Sequence, residues 1–228
     1  MKDKRRTEIL QIVNKKGFVK SIDLARQFKT TIQTIINDIN SLEIDNLVVK
    51  VYGGVKSKKI INNELTNEEK MTINVEAKKT IAKLAANKIV DGDLIFIDTG
   101  TTTLKLCQYL IDKDVTIVTN GYLIARELIE MGKNFIILGG EIRPGTGAII
   151  GSISIEMLEK FKFDKSFIGI NAYDSEKIYT TNLDEAIFKQ HVINNSKKNY
   201  VLADSSKKDN VSYVVIDKLT KVEIISEN

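Results

Sequence analysis

The eleven residues Leu94-Ile95-Phe96-Ile97-Asp98-Thr99-Gly100-Thr101-Thr102-Thr103-Leu104 constrain the fold more than any other stretch. A short apolar run of bulky and β-branched side chains predicts a strand buried on both faces. It ends at Asp98, and small polar residues then lead into Leu104, Leu106, Tyr109 and Leu110, a helical repeat. Strand, small-residue loop and helix N-terminus together form a natural anion site, because the first backbone N–H groups of a helix lack partners and its dipole is positive there. Thr99, Thr101, Thr102 and Thr103 add hydroxyl donors, and Gly100 permits close backbone approach. The alternative is a plain strand-to-helix turn with Thr101 or Thr102 as N-cap. No Gly-Lys-Ser/Thr follows, so this is not a P-loop.

The chain has 228 residues, 43% hydrophobic and 28% charged, enough for one large domain or a modest one with a small companion. No run approaches the roughly 18 apolar residues of a membrane span, and no apolar signal core follows Arg5-Arg6. A single cysteine, Cys107, excludes an internal disulfide or a cysteine zinc cluster, and its apolar setting predicts a small buried hydrophobe. The expectation is a cytoplasmic protein with no membrane partner, no metal and no cofactor. The net charge of +4 is unevenly spread: residues 1–60 hold 13 Lys+Arg against 6 Asp+Glu, and the rest 21 against 24. A basic head on a mildly acidic body predicts that the head meets a polyanion.

In the head, Ile9, Ile12 and Val13 have helical spacing and Gly17 ends the run. Ser21 is placed as N-cap of a short second helix through Leu24, Ala25 and Phe28, and Lys29-Thr30 makes a turn. Thr31 opens a third helix with Ile32, Ile35, Ile39 and Leu42 on one face. Leu47–Tyr52 and Gly53–Val55 form a hairpin around glycine. Three helices and a trailing hairpin predict a winged helix-turn-helix over residues 1–56, with the third helix in the major groove and the wing on the backbone. The candidate contacts to double-stranded operator DNA are Arg5, Arg6, Ser21, Lys29, Thr30, Thr31, Gln33, Thr34, Asn37, Lys50, Tyr52, Gly53 and Gly54. Residues 57–73, polar and rich in Lys, Asn and Glu, read as a linker.

From residue 74 to 228, strands near 94–97, 115–118, 135–138, 165–170, 200–203, 213–216 and 221–225 alternate with helices. This predicts right-handed crossovers and a mostly parallel α/β sheet. Strand ends at Asp98–Thr103, Thr119-Asn120, Gly139-Gly140 and Asp204–Lys207 would share one sheet edge, where open α/β folds bind ligands. Lys207 can give a phosphate a point charge, and Asp204 can bind a sugar hydroxyl or hold the lysine.

The order of head, linker and body resembles the DeoR family of bacterial transcriptional regulators over essentially the whole chain. The resemblance lies in Arg6–Val13, Leu24-Ala25, Thr34-Ile35 with Asp38-Ile39, Leu42 and Tyr52-Gly53-Gly54-Val55. In the body it lies in Lys78 with Ile81-Ala82, Asp91-Gly92-Asp93, Asp98–Thr103, Thr119-Asn120, Gly139-Gly140, Gly151, Thr180–Glu185 and Asp204–Lys207. It implies a sensor domain akin to pentose-phosphate isomerases that binds a phosphorylated sugar as effector, in a homodimer or homotetramer. Asn171-Ala172 and Leu183-Asp184-Glu185-Ala186 are most similar to the sugar-phosphotransferase repressors of lactose or fructose pathways. By that resemblance the effector-responsive lysines are Lys70, Lys78 and Lys207. With Glu185 and the strand-end residues above, they complete the candidate effector site. The family pattern has two arginines where this chain has Ile36 and Asn37, so two charge contacts are missing; Lys29, Lys50, Lys56, Lys58 and Lys59 are the candidates to compensate.

The reading is therefore a non-enzymatic repressor of carbohydrate metabolism whose operator binding a sugar phosphate controls. The alternative is a sugar-phosphate isomerase or hydrolase with Asp98, Glu185 or Asp204 as base and Lys207 as electrostatic stabiliser. His191, the one histidine, is expected to pack or face solvent.

Overall fold

The computed structural model describes residues 2–45, 47–58, 60–61 and 65–228, so Lys59 and residues 62–64 of the expected linker lie outside the described residues. The chain divides after Ile60 into two compact units. The first contains α1 (Lys2–Lys16), β1 (Phe18–Lys20), α2 (Ser21–Gln27), α3 (Ile32–Ile44), β2 (Val48–Val51) and β3 (Gly54–Ser57). Ile9, Val13, Leu24, Ile35, Ile39, Leu42, Val48 and Val55 form its core, as their helical and strand spacing requires. Thr31 caps α3, its hydroxyl accepting from the Thr34 N–H. Ser21 does not cap α2: Lys20 holds that position, and the Ser21 N–H donates to the Gly53 carbonyl instead. β1 was not legible in the sequence; it pairs antiparallel with β3, which also pairs with β2, giving a three-stranded wing sheet. Asp38 on α3 is buried and takes Arg5 Nε at 2.5 Å and Arg6 Nε at 3.4 Å, which ties α1 to α3.

β4 (Ile60–Ile61) lies in the chain at the boundary of the units. Beyond it come α4 (Asn67–Met71), α5 (Val75–Ala86), β5 (Leu94–Ile97), α6 (Thr101–Cys107), β6 (Thr116–Thr119), α7 (Tyr122–Glu130) and β7 (Ile136–Ile137). The hairpin β8 (Glu141–Ile142) and β9 (Ile149–Ile150), α8 (Ser152–Leu158), β10 (Phe163–Gly169), β11 (Ala172–Tyr173) and β12 (Lys177–Thr180) follow. The chain ends through α9 (Leu183–Asn194), β13 (Ser196–Leu202), β14 (Val211–Ser212), β15 (Val214–Lys218) and β16 (Glu223–Ile225).

The main sheet has the order β16-β13-β10-β5-β6-β7 and is parallel throughout. Successive residues of a strand face opposite sides. Ile95, Ile97, Ile117, Phe167 and Leu202 thus pack with α5, α6 and α7 residues, while Phe96, Val118, Ile168 and Val201 pack with Leu158, Phe188 and Val192 of α8 and α9. The strand at 214–218 does not close this sheet. It pairs with β12 in a separate antiparallel sheet, β11-β12-β15.

Part of the expected linker is ordered. Thr66 and Glu69 form a reciprocal capping box on α4, and the Asn67 amide donates to the Thr146 carbonyl at 2.5 Å. α6 is also shorter than its apolar repeat suggests, ending at Cys107, with Gly100 rather than Thr101 or Thr102 at the N-cap position.

Candidate functional site

β5 and β10 are neighbours at the centre of the main sheet, yet the chain leaves them in opposite directions, β5 toward β6 and β10 toward β13. That is a topological switch point, and ligands of open α/β folds bind in the crevice beyond it. A cavity of about 260 Å³ opens there, lined by the ends of β5, β10 and β13 and by α4, α5 and α6. Of the candidate effector residues, it brings together Lys70, Lys78, Thr99, Gly100, Thr101, Thr102, Thr103, Glu185, Asp204 and Lys207.

Its electrostatics are those of an anion site. Burial lowers the Lys78 pKa below the ordinary lysine value; Asp204 opposes this, and Lys207, Lys70 and Lys105 add to it. Lys207 is lowered in the same way, by burial first and by Lys70 after it, with Asp204 again opposing. Lysines crowded so that each disfavours the charge of the next are relieved by an anionic ligand. Lys78 Nζ donates to the Lys70 carbonyl, which ties α5 to α4. Asp204 is itself held: Oδ1 accepts from Asn74 Nδ2 at 3.0 Å, from the Ser206 N–H at 3.0 Å and from the Ser206 hydroxyl. Asn74 reaches it from a left-handed conformation at the start of α5 (φ +52°).

Asp98, Thr119 and Asn120 lie behind the cavity wall. Asp98 Oδ2 accepts from Lys189 Nζ and from the Gly169 N–H at 3.0 Å, so the carboxylate braces α9 against the ends of β5 and β10. Asn120 Oδ1 accepts from the Thr99 N–H at 3.1 Å, and the Thr119 hydroxyl donates to the Ile97 carbonyl at 2.6 Å. These residues shape the Thr99–Thr103 loop rather than line the cavity. Gly139 and Gly140 are also elsewhere. Gly139 O accepts from Ser154 Oγ at 2.6 Å, and a Cβ on Gly140 (φ +146°) would stand 2.2 Å from Ser154 Oγ and 2.5 Å from Ile150 O. Their glycines serve backbone packing.

The sequence reading missed Lys189, Asn74, Asn171 and Thr146, which line the cavity. Lys189 sits on α9, where only its burial distinguishes it, and its carboxylate partner is 91 residues away in the chain. Glu185 meets Arg143 Nε at 3.5 Å and the Thr146 hydroxyl at 3.3 Å. His191, half-exposed, faces Glu159 at 3.0 Å, away from the cavity lining.

In the head, Lys29, Thr31, Gln33, Asn37, Lys50 and Tyr52 are exposed, while Ser21, Thr30 and Thr34 are half-buried. Gly53 turns the wing at φ +75°. Gly54 is buried, where a Cβ would meet Val19 O at 2.4 Å. Arg5 and Arg6 have a structural partner in Asp38. Lys58 is buried, which removes it from the compensating lysines.

Two family models cover nearly all of the chain: the DeoR-like helix-turn-helix domain matches residues 5–60, and the DeoR C-terminal sensor domain matches residues 73–228. The chain belongs to the DeoR family. Its helix-turn-helix is accordingly a DNA-binding domain and its α/β unit a sensor domain, so the chain is a transcriptional regulator. It is 36% identical over 220 residues to the uncharacterized regulator FruR of Bacillus subtilis strain 168, covering 96% of this chain and 88% of that protein. It is 33% identical over 228 residues to the lactose phosphotransferase system repressor of Staphylococcus aureus strain NCTC 8325, covering 97% and 91%. Among solved structures, eIF2B beta from Chaetomium thermophilum shares the fold of the α/β unit, with a TM-score of 0.50 at 14% identity over 70% of this chain and 51% of that one. Ribose 5-phosphate isomerase A from Methanocaldococcus jannaschii is a weaker likeness: TM-score 0.44 and 17% identity over 59% of this chain and 55% of that one. Among the described residues no helix is long and apolar enough to cross a membrane.

Proposed function

We propose that this regulator is a one-component repressor of a phosphotransferase-linked sugar pathway, released from its operator by a sugar phosphate bound in the switch-point cavity. The observation that carries the effector reading is the meeting of Lys70, Lys78 and Lys207 over the Thr99–Thr103 loop, with Asp204 as the acid set among them. In this reading the lysines take the phosphate and Asp204 orients a sugar hydroxyl. Asp98 and Lys189 hold the loop from behind. The name of the lactose phosphotransferase system repressor relative supports a sugar transported by phosphorylation. Release of DNA then requires that the effector bind the DNA-free arrangement more tightly than the DNA-bound one.

The test is fluorescence anisotropy of the whole chain on labelled duplex from upstream of its own gene, over a salt series, followed by titration with hexose and pentose phosphates. Saturable, sequence-selective binding that one sugar phosphate reverses is the expected result, with the response lost in Lys78→Gln and Lys207→Gln. Operator binding indifferent to every sugar phosphate would refute the effector assignment.

A further inference from the structure

The DNA-reading helix of the head has an unusual surface for its task. α3, Ile32-Gln33-Thr34-Ile35-Ile36-Asn37-Asp38-Ile39-Asn40-Ser41-Leu42-Glu43-Ile44, contains no arginine and no lysine. The commonest specific contact in a major groove, a basic side chain on guanine O6 and N7, is therefore not available from it. Cytosine readout by a carboxylate is equally removed from its N-terminal half: Asp38 is buried against Arg5 and Arg6. Glu43, near the other end, accepts the Lys50 N–H at 2.8 Å.

What the N-terminal half of the helix presents, beside Thr34, is two amides and two isoleucines. Gln33 and Asn37 are exposed one turn apart, and Gln33 Nε2 donates to Asn37 Oδ1 at 3.2 Å, so the amides lie side by side. Ile32 is 44% exposed, Ile36 is half-buried, and with Ile22 and Val51 they line an apolar groove of about 360 Å³. The one apolar group displayed in a major groove is the thymine methyl, and the base that a Gln or Asn amide pairs with twice is adenine. Positive charge sits outside the helix, on exposed Lys20, Lys29, Lys50 and Lys56, where it can position the protein on phosphates without naming a base.

We infer that α3 reads A·T base pairs, Gln33 and Asn37 pairing with adenine while Ile32 and Ile36 cover thymine methyls, so that the operator half-site is A·T at the positions the helix contacts. This rests on the reading of the head as an operator-binding domain, and the experiment separates the two. The whole chain is used to select duplexes from a random pool at about physiological salt, and affinities are then measured on the preferred site. Expected are A·T pairs at a short block in each half-site, a loss of about tenfold for each A·T→G·C replacement there, and a loss of about fourfold for each thymine replaced by uracil, which lacks one methyl. Ile36→Ala abolishes the uracil effect at one position, and Ile36→Arg moves the preference there toward guanine. Selection of G·C pairs at the helix-read block would overturn the inference while leaving operator binding intact. So would an A·T preference indifferent to uracil and to both Ile36 variants, as expected if the groove is instead covered by a second copy of the chain. A pool from which no sequence is enriched would overturn the operator reading itself, and the inference with it.

Discussion

Replacing Asp98 by asparagine tests the idea that a buried ion pair fixes the shape of the switch-point cavity. The Asp98 side chain is 1% exposed and Lys189 is 5% exposed. Asparagine keeps an oxygen to accept the Gly169 N–H and nearly the same volume, so the substitution isolates the lost charge. It takes the Asp98 carboxylate away from a buried ammonium, a change that costs about 3–5 kcal/mol when one partner of such a pair is removed. With a urea slope of about 2 kcal/mol per molar, the unfolding midpoint of the sensor unit falls by about 1.5–2.5 M. Far-UV circular dichroism in urea measures it directly. Lys189→Met alone strands the carboxylate and costs a comparable amount. The double variant Asp98→Asn, Lys189→Met removes both charges and is expected to be more stable than the sum of the single losses predicts, by about 2 kcal/mol. A single Asp98→Asn within about 0.5 kcal/mol of the parent, the scatter of an ordinary surface change, or a double variant whose loss is simply additive, would refute the pair as a structural brace.

Three other outcomes follow from the same physics. Because the pKa values of Lys78 and Lys207 are lowered in the free protein, an anion that restores their charge takes up protons, so sugar-phosphate affinity measured by calorimetry falls as pH rises toward 10.5, before ordinary lysines titrate; by the same sign, the ligand-free sensor gains stability over that rise. Burial pushes the Cys107 thiol up to about 12, so at pH 8 about one thiol in ten thousand is ionised, and a disulfide reagent should label it only on unfolding; rapid native labelling would contradict the buried placement. Gly140→Ala puts a methyl group onto Ser154 Oγ and Ile150 O at φ +146° and should cost about 2 kcal/mol or more, lowering the melting temperature by about 4–8 °C, while an unchanged melting curve would show that the β7–β8 turn is looser than described.

What the sequence made legible was what local periodicity encodes. Leu94–Ile97 reads as a strand because both of its faces are covered, and Ile35, Ile39 and Leu42 read as one helix face because their spacing places them together. The Thr99–Thr103 loop and Lys207 were legible as cavity residues because the end of a parallel strand has a predictable address in such a fold. The failures share a cause, since each depends on contacts distant in sequence. α4 looks like linker because Asn67-Glu68-Glu69-Lys70 has no apolar stripe; its anchors are a capping box and the carbonyls of Gly145 and Thr146. Lys189 carries no local signal, and Gly139-Gly140 imitates a ligand loop while serving the packing of Ser154 and Ile150.

Under the proposed function, the position of α4 in the chain suits it to transmit ligand binding. It begins six residues after Ile61, the first residue of the sensor unit, and carries Lys70 into the cavity lining. Hydrogen bonds that fasten it to the rest of that unit among the described residues include Asn67 N–H to Gly145 O, Asn67 Nδ2 to Thr146 O, and Lys78 Nζ to Lys70 O. The last of these engages a cavity lysine, so a phosphate that draws Lys78 toward itself competes with the bond that holds α4. An effector that also engages Lys70 pulls on the same helix from the other side. Coupling between two sites is commonly 1–3 kcal/mol, or about 5- to 150-fold in operator affinity, which a bond or two gained or lost at α4 is enough to supply. Binding and switching are then separable. Lys70→Met should keep most of the sugar-phosphate affinity, since Lys78 and Lys207 remain, yet lose most of the operator release. Equal losses of both would place the signal in the Thr99–Thr103 loop instead, because the loop and the phosphate would then be acting as one unit without α4.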